Sequence, residues 1–481
     1  MLLLAGLEMM QAADVAPGLR AGADRSDVTP HLGVLIPGGF VAPYATRVHD
    51  PLNVRTLVLE EGGTRIAFVV VDSGVLPRVV CDEAKRLVLQ QTGLPASHIA
   101  IAATHTHSAG SALRMSGPDL TQWLDRDGHT QSQEPLSEYQ TFIIRRIADS
   151  VQCAINRLEP ARVGWGVGRV ADQVFNRRWF VKAEALRRNP FGGVDAVRMN
   201  PPVASPELVE PAGPTDPEVC FVAVQSLSGR PIAVLANYAL HYIGGGLAAE
   251  ISADYFGMFA ERLGELLGAT TQDPPFVGIM SNGTSADVIG RDPRVPIAPE
   301  PPYAKMRRVA HLVAAEVHRA YQSVKYRADA KLDVRYEELP LQPRRPTPEM
   351  TAYAARVLAG RPPGERPWHA QERTYAEMVR QAQDAPAQLQ VPVQVFRIGD
   401  LAIAVTPVET FAEMGLELKA RTPFAKAFTI ELANAWYGYM PTVRQHELGG
   451  YETWLGVNRL ERDAAPKMLD ALLRLMESMR P

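Results

Sequence analysis

The sequence predicts a mixed α/β fold, with sheets built from hairpins and covered by flanking helices, on three observations. Apolar strand-like runs come in pairs joined by tight turns, at 54–74, 219–241 and 392–409. Helical patterns with a 3.6-residue apolar period alternate with these runs. The 481 residues are 46% hydrophobic and 21% charged, enough to bury a sizeable core without cross-links. The paired strands exclude a purely parallel sheet.

Each element has its own signal. "VRTLVLEEGGTRIAFVVVDSG" (54–74) turns at Gly62-Gly63, and "VLPRVVCDEAKRLVLQQTG" (75–93) is a helix stopped by glycine. "HIAIAAT" (98–104) is a short buried strand, and 136–158 is a strongly amphipathic helix. From 181 to 217, Pro, Gly and Asn predict a long loop or lid. A Ser-Gly turn closes the hairpin 219–241. Next come a helix at 253–268, a buried strand at 276–281 and a helix at 304–324. Residues 340–391 turn polar and Pro-punctuated, the mark of a helical insertion. The hairpin 392–409, the strand "FTIELAN" (428–434) and a helix at 463–479 complete the order. No repeat period or low-complexity tract occurs.

The bulk properties exclude some functions. A formal net charge of −3, with no basic stripe, leaves no surface for nucleic acid. No run approaches the ~20 apolar residues of a membrane span. Cys81, Cys153 and Cys220 are odd in number and scattered, so packing rather than a disulfide framework is expected. Residues 1–18 are a ragged segment without a basic n-region. The compartment is left open: a cytoplasmic location is favoured, and a secreted or periplasmic one follows if this segment is a truncated signal. The oligomeric state is open as well.

The chemistry-bearing residues share a habit: they sit where strands end. "IAIAATHTHSAGSA" (99–112) ends an apolar run in His105 and His107. On a strand, i and i+2 share a face, so both imidazoles would point together. They could chelate a metal, or pair one ligand with one proton carrier; the alternative is one packed and one solvated histidine. His241 ends "VLANYALH", Glu409 ends "LAIAVTPVE", and Tyr439 follows "FTIELAN". Strand-end loops carry function more often than strand middles.

Taken together, these segments resemble the N-terminal catalytic domain of the neutral/alkaline, non-lysosomal ceramidases. The motifs are "AGADRSDVTP", "AATHTHS", "VFNRR", "NYALH", "ISADYFG" and "ELANAWYGYMPT" followed by "YE", in the family's order over roughly 19–457. The resemblance implies one zinc ion held by His105, His241, Glu409 and Tyr439. It implies that His107 faces substrate and moves a proton, and that Arg177 and Tyr451 point at the reacting carbonyl. Asp254 of "ISAD" is a candidate proton-transfer or ligand-supporting group, or equally a turn cap. The expected activity is zinc-dependent hydrolysis of an amide (N-acyl) bond in a small, N-acylated or lipid-like substrate, in keeping with lipid metabolism. An ester substrate, a carbohydrate hydrolase or lyase, and a non-catalytic binding protein are the alternatives.

The chain departs from the family in places. Aligning "SNGTSADVIG" on the family's Gly-Asp-x-Ser-Pro loop puts Ile289 at the serine position and leaves Ser285 shifted, which favours metal-activated water over a serine nucleophile. "SAGSA" replaces Ser-Gly-Pro-Gly-Gly after the histidines. The expected organisation is one catalytic domain over 19–481, carrying the 340–391 insertion and lacking the family's C-terminal β-sandwich domain.

Overall fold

A computed structural model describes residues 18–38, 42–113, 135–362 and 364–480; the ragged segment foreseen at 1–18 lies, apart from residue 18, outside them. An eight-stranded mixed sheet dominates. From one edge to the other its strands are Val277–Asn282, Pro231–Tyr238, Glu218–Ser226, Glu159–Arg169, Arg20–Asp27, Asn53–Glu61, Thr64–Val71 and Ile99–Ala103. Both outermost pairs are parallel and the interior pairs are antiparallel. A second sheet contains Leu332–Leu341, Leu389–Ile398, Leu401–Val405 and Lys426–Ile430, the last pair parallel. All three hairpins foreseen from the sequence are present.

The two sheets pack face to face. Leu57, Phe68, Val222 and Ile279 of the first join Phe396, Ile403 and Phe428 of the second in one buried cluster. The rings of Phe68 and Phe396 lie 4.7 Å apart. Helices cover the outer faces. Arg78–Thr92 and Glu138–Asn156 pack on one half of the large sheet, and Asp254–Leu266 and Ala304–Tyr321 on the other. Ala464–Glu477 and Ala412–Arg421 cover the small sheet. Four layers result, each sheet burying its two faces against different partners.

Local chemistry sets the element ends. Gly93, at φ 73°, takes the left-handed position that stops Arg78–Thr92. Ser137 and Gln140 form a reciprocal capping box at the start of Glu138–Asn156. Cys81 and Cys220 are buried and Cys153 is half-buried, all three free thiols.

Several expectations change. The strand carrying the histidines ends at Ala103, and His105 has a left-handed φ of 70°. Period-two alternation is therefore not what aligns His105 with His107; a turn past the strand end does it. The strand foreseen at 428–434 stops at Ile430, because Leu432 and Asn434 are left-handed (φ 55° and 68°). The foreseen loop 181–217 contains strands Val197–Met199 and Leu208–Pro211, which flank Arg178–Val181 in a three-stranded sheet. Segment 340–391 does contain two helices, Pro348–Ala359 and Glu372–Ala382, between neighbouring antiparallel strands. Among the described residues, no helix is long and apolar enough to cross a membrane.

Candidate metal centre

Three strand ends meet at one point. Past Ile99–Ala103 the chain turns so that the His105 N–H donates to the Ser73 carbonyl at 2.9 Å. His241 lies three residues beyond Pro231–Tyr238, and Glu409 four beyond Leu401–Val405. The Nε2 atoms of His105 and His241 are 3.1 Å apart, and those of His105 and His107 are 3.4 Å apart. Glu409 Oε2 lies 3.4 Å from His105 Nε2 and 4.0 Å from His241 Nε2.

The hydrogen bonds around the rings set their tautomers. His105 Nδ1 is 2.6 Å from the Gly74 carbonyl and His107 Nδ1 is 3.0 Å from the Gly38 carbonyl. A carbonyl only accepts, so each Nδ1 carries a proton; in the neutral form of each ring it is then Nε2 that presents the lone pair. His241 Nδ1 lies 3.4 Å from the Ser285 hydroxyl, which itself donates to Glu431 Oε1 at 2.7 Å. Burial, then the neighbouring charges of His105, Arg177 and His107, drives His241 well below the usual imidazole range. Burial and then His105 lower His107 to about 3. Glu409 Oε2 is buried without a hydrogen-bond partner, while its Oε1 accepts from Trp436 Nε1 at 3.1 Å. Burial alone would raise Glu409, but His105, Tyr439 and Arg177 hold it below the usual carboxylate range.

Three imidazole nitrogens and a carboxylate oxygen thus crowd together, an arrangement that a cation bound by the neutral rings would resolve. Tetrahedral ligands ~2.0–2.1 Å from a common zinc ion stand about 3.3 Å apart. The observed separations of 3.1 and 3.4 Å fit that spacing. His105, His107 and His241 form a group whose ligand atoms lie within 4.8 Å of one another and which could hold a metal ion.

Glu409 and Tyr439 are direct partners on two short parallel strands, Glu409–Thr410 and Tyr439–Met440. Burial, and next the Glu409 charge, pushes the Tyr439 phenol well above its usual range. The Arg177 guanidinium carbon stands 5.4 Å from the Tyr439 ring centre. Its Nε donates to Glu452 Oε1 at 2.8 Å, while Arg178 Nη1 donates to Glu452 Oε2 at 2.6 Å. Tyr451 meets Tyr439 edge-on at 5.7 Å, and burial raises its phenol, which stays a proton donor. Arg177, Tyr439, Tyr451 and all three histidines line one cavity of about 450 Å³.

Asp254 stands apart. Its carboxylate accepts the backbone N–H groups of Ile243, Gly244 and Tyr255 at 3.1, 2.8 and 2.6 Å, fixing the loop after His241. Burial raises it to about 6. It is not among the residues lining the cavity, and neither is Ser285, whose hydroxyl sits behind His241.

Sequence reasoning missed Tyr242, which stacks on His107 at 3.7 Å, as well as Trp436, Glu431 and Glu452. Glu431 left one trace: an acid interrupting the apolar run "FTIEL". Glu452 joins two fully buried guanidiniums. Glu452→Ala would strand both, a change costing about 3–5 kcal/mol. Thermal unfolding of Glu452→Ala beside Arg177→Ala tests this: only the first should lose much stability, since Arg177→Ala leaves the Arg178–Glu452 pair intact.

No protein-family model matches the chain, and no curated protein sequence matches it. Solved structures do. A crystal structure of neutral ceramidase from Pseudomonas aeruginosa superposes with a TM-score of 0.70, at 17% identity, over 96% of this chain and 75% of that one. A ceramidase structure described as complexed with C2 superposes with a TM-score of 0.70, at 16% identity, over 97% of this chain and 76% of that one. The chain has the neutral ceramidase fold.

Proposed function

We propose that this chain is a zinc-dependent hydrolase that cleaves an amide (N-acyl) bond, with the metal held by His105, His241, Glu409 and Tyr439. The observation that carries the reading is the convergence of the Nε2 atoms of His105, His107 and His241 with a buried Glu409 oxygen. The shared fold with the ceramidases supports it. A zinc ion bound there would supply Lewis acidity, acidifying water towards a pKa of ~7 and polarising a carbonyl.

The protein's own groups do the rest. Arg177, held by Glu452, and the Tyr451 hydroxyl donate to the carbonyl oxygen as negative charge develops on it. The buried setting strengthens both interactions. His107 Nε2 carries a proton to the leaving amine, while its Nδ1 stays tied to Gly38. Tyr242, stacked on His107, fixes the plane of the ring. Asp254 acts on the loop following His241 rather than on substrate. An ester presents the same carbonyl oxygen to Arg177 and Tyr451, so esters are the expected second substrates. Ser285 is turned to Glu431 and is not the nucleophile in this reading.

The test is metal analysis of the purified protein joined to a panel of N-acyl, ester and glycoside substrates. About one zinc per chain with N-acyl turnover is the expected result; turnover without metal would contradict it. Trp436→Phe provides a finer check. It removes the N–H that orients Glu409 while keeping an aromatic ring. Such supporting partners typically contribute 10–100-fold to metal affinity. Zinc competition against a chelator should show a loss of that size.

A further inference from the structure

The cavity that holds the metal centre has a second charged region, formed by Arg187, Arg188 and Arg198. A row of rings connects the two. Tyr439 meets Tyr451 at 5.7 Å, Tyr451 meets Trp454 at 5.7 Å, and Trp454 meets His369 at 5.3 Å. Arg188 lies over the Trp368 ring at 4.1 Å. Burial, and after it the Arg198 charge, lowers His369.

Among the described residues, no carboxylate pairs with these three arginines. Arg187 Nη1 donates to the main-chain oxygen of Asp195 at 2.7 Å. The Asp195 carboxylate is already taken by Asn189 Nδ2, the Gly450 N–H and Trp454 Nε1, at 2.9, 2.9 and 2.8 Å. Glu452 is taken by Arg177 and Arg178. Glu372 is taken by Arg361, the Tyr353 hydroxyl and the Trp368 N–H. The Nε atoms of Arg187, Arg188 and Arg198 are buried without an acceptor. Burial holds Arg198 below the usual guanidinium range. Half-buried cations without counter-charges are costly to keep, and the guanidinium fork fits an oxyanion.

We infer that the substrate carries an anionic oxygen group, a carboxylate or a phosphate, bound by Arg187, Arg188 and Arg198 while its acyl bond lies at the metal centre. The inference rests on the hydrolase reading above and narrows it to acidic N-acyl compounds. The reaction stays a hydrolysis: the water oxygen bonds to the acyl carbon, the C–N bond breaks, and the amine leaves with a proton from that water.

The experiment compares matched pairs on the zinc-loaded enzyme. N-dodecanoylglycine is set against its glycinamide, and N-dodecanoyl phosphoethanolamine against N-dodecanoylethanolamine. The wild type should prefer a charged member by at least about tenfold in kcat/KM, the scale of one charge-assisted hydrogen bond. Which pair shows the preference identifies carboxylate or phosphate. In Arg188→Gln/Arg198→Gln the ratio should fall towards one, mainly through KM, with thermal melting as the control for folding. Equal turnover of charged and neutral members by the wild type would overturn the inference and leave the hydrolase reading standing. If nothing is turned over, the hydrolase reading fails. Calorimetric titration of N-dodecanoylglycine and its glycinamide then decides: tighter binding of the acid upholds the arginine site, and equal or absent binding overturns it.

Discussion

His241→Ala is expected to purify folded, with less than about a tenth of the wild-type zinc, and with hydrolysis down by ~10⁴-fold, the upper range for loss of one catalytic group. The imidazole is 1% exposed and is held from behind by Ser285. Its Nε2 faces His105 Nε2 at 3.1 Å, so alanine removes one corner of the ligand set and leaves no protein atom in its place. The surrounding strands lose no hydrogen bond, because His241 lies past the end of Pro231–Tyr238. The new space simply opens into the existing cavity, so the folding cost should be modest. Metal content by mass spectrometry, with circular dichroism as the folding control, checks this. Full zinc occupancy in His241→Ala would remove His241 from the site.

His107→Ala should behave differently: zinc retained, and turnover lower by about 10²–10⁴-fold, as for loss of a proton carrier. The geometry makes this a sharp test, because His107 Nε2 also faces the centre, 3.4 Å from His105 Nε2. Two features separate the histidines. Glu409 Oε2 is within 4.0 Å of His105 and His241 Nε2 alone among the described histidines. His107 is the least buried of the three and stacks on Tyr242 at the cavity wall, where a leaving amine would pass. His105→Ala should lose both metal and rate. Equal zinc loss in His105→Ala and His107→Ala would make His107 a ligand, and proton transfer would then need another group.

Much of this was legible in the sequence because it is local. Turn glycines and apolar periodicity announce hairpins and helices within a few residues. His105, His241 and Glu409 were visible because apolar strands end abruptly just before them. What was hidden depends on distant partners. Arg177 finds Glu452 across 275 positions, and His107 finds the Gly38 carbonyl across 69. Gly74 and Gly38 contribute main-chain oxygens, which no residue type advertises. The left-handed turn at His105 defeats the period-two argument although its conclusion, two rings together, holds. The region 181–217 looked loop-like because its strands are only three and four residues long, too short to show alternation.

The central claim is that one zinc ion sits among His105, His241, Glu409 and Tyr439. Anomalous diffraction at the zinc absorption edge, from crystals of the zinc-loaded protein, tests it most directly. The expected result is one strong peak per chain, ~2.0–2.1 Å from the Nε2 atoms of His105 and His241 and ~2.0–2.2 Å from a Glu409 oxygen. A peak elsewhere in the molecule, or none at full zinc loading, would contradict it.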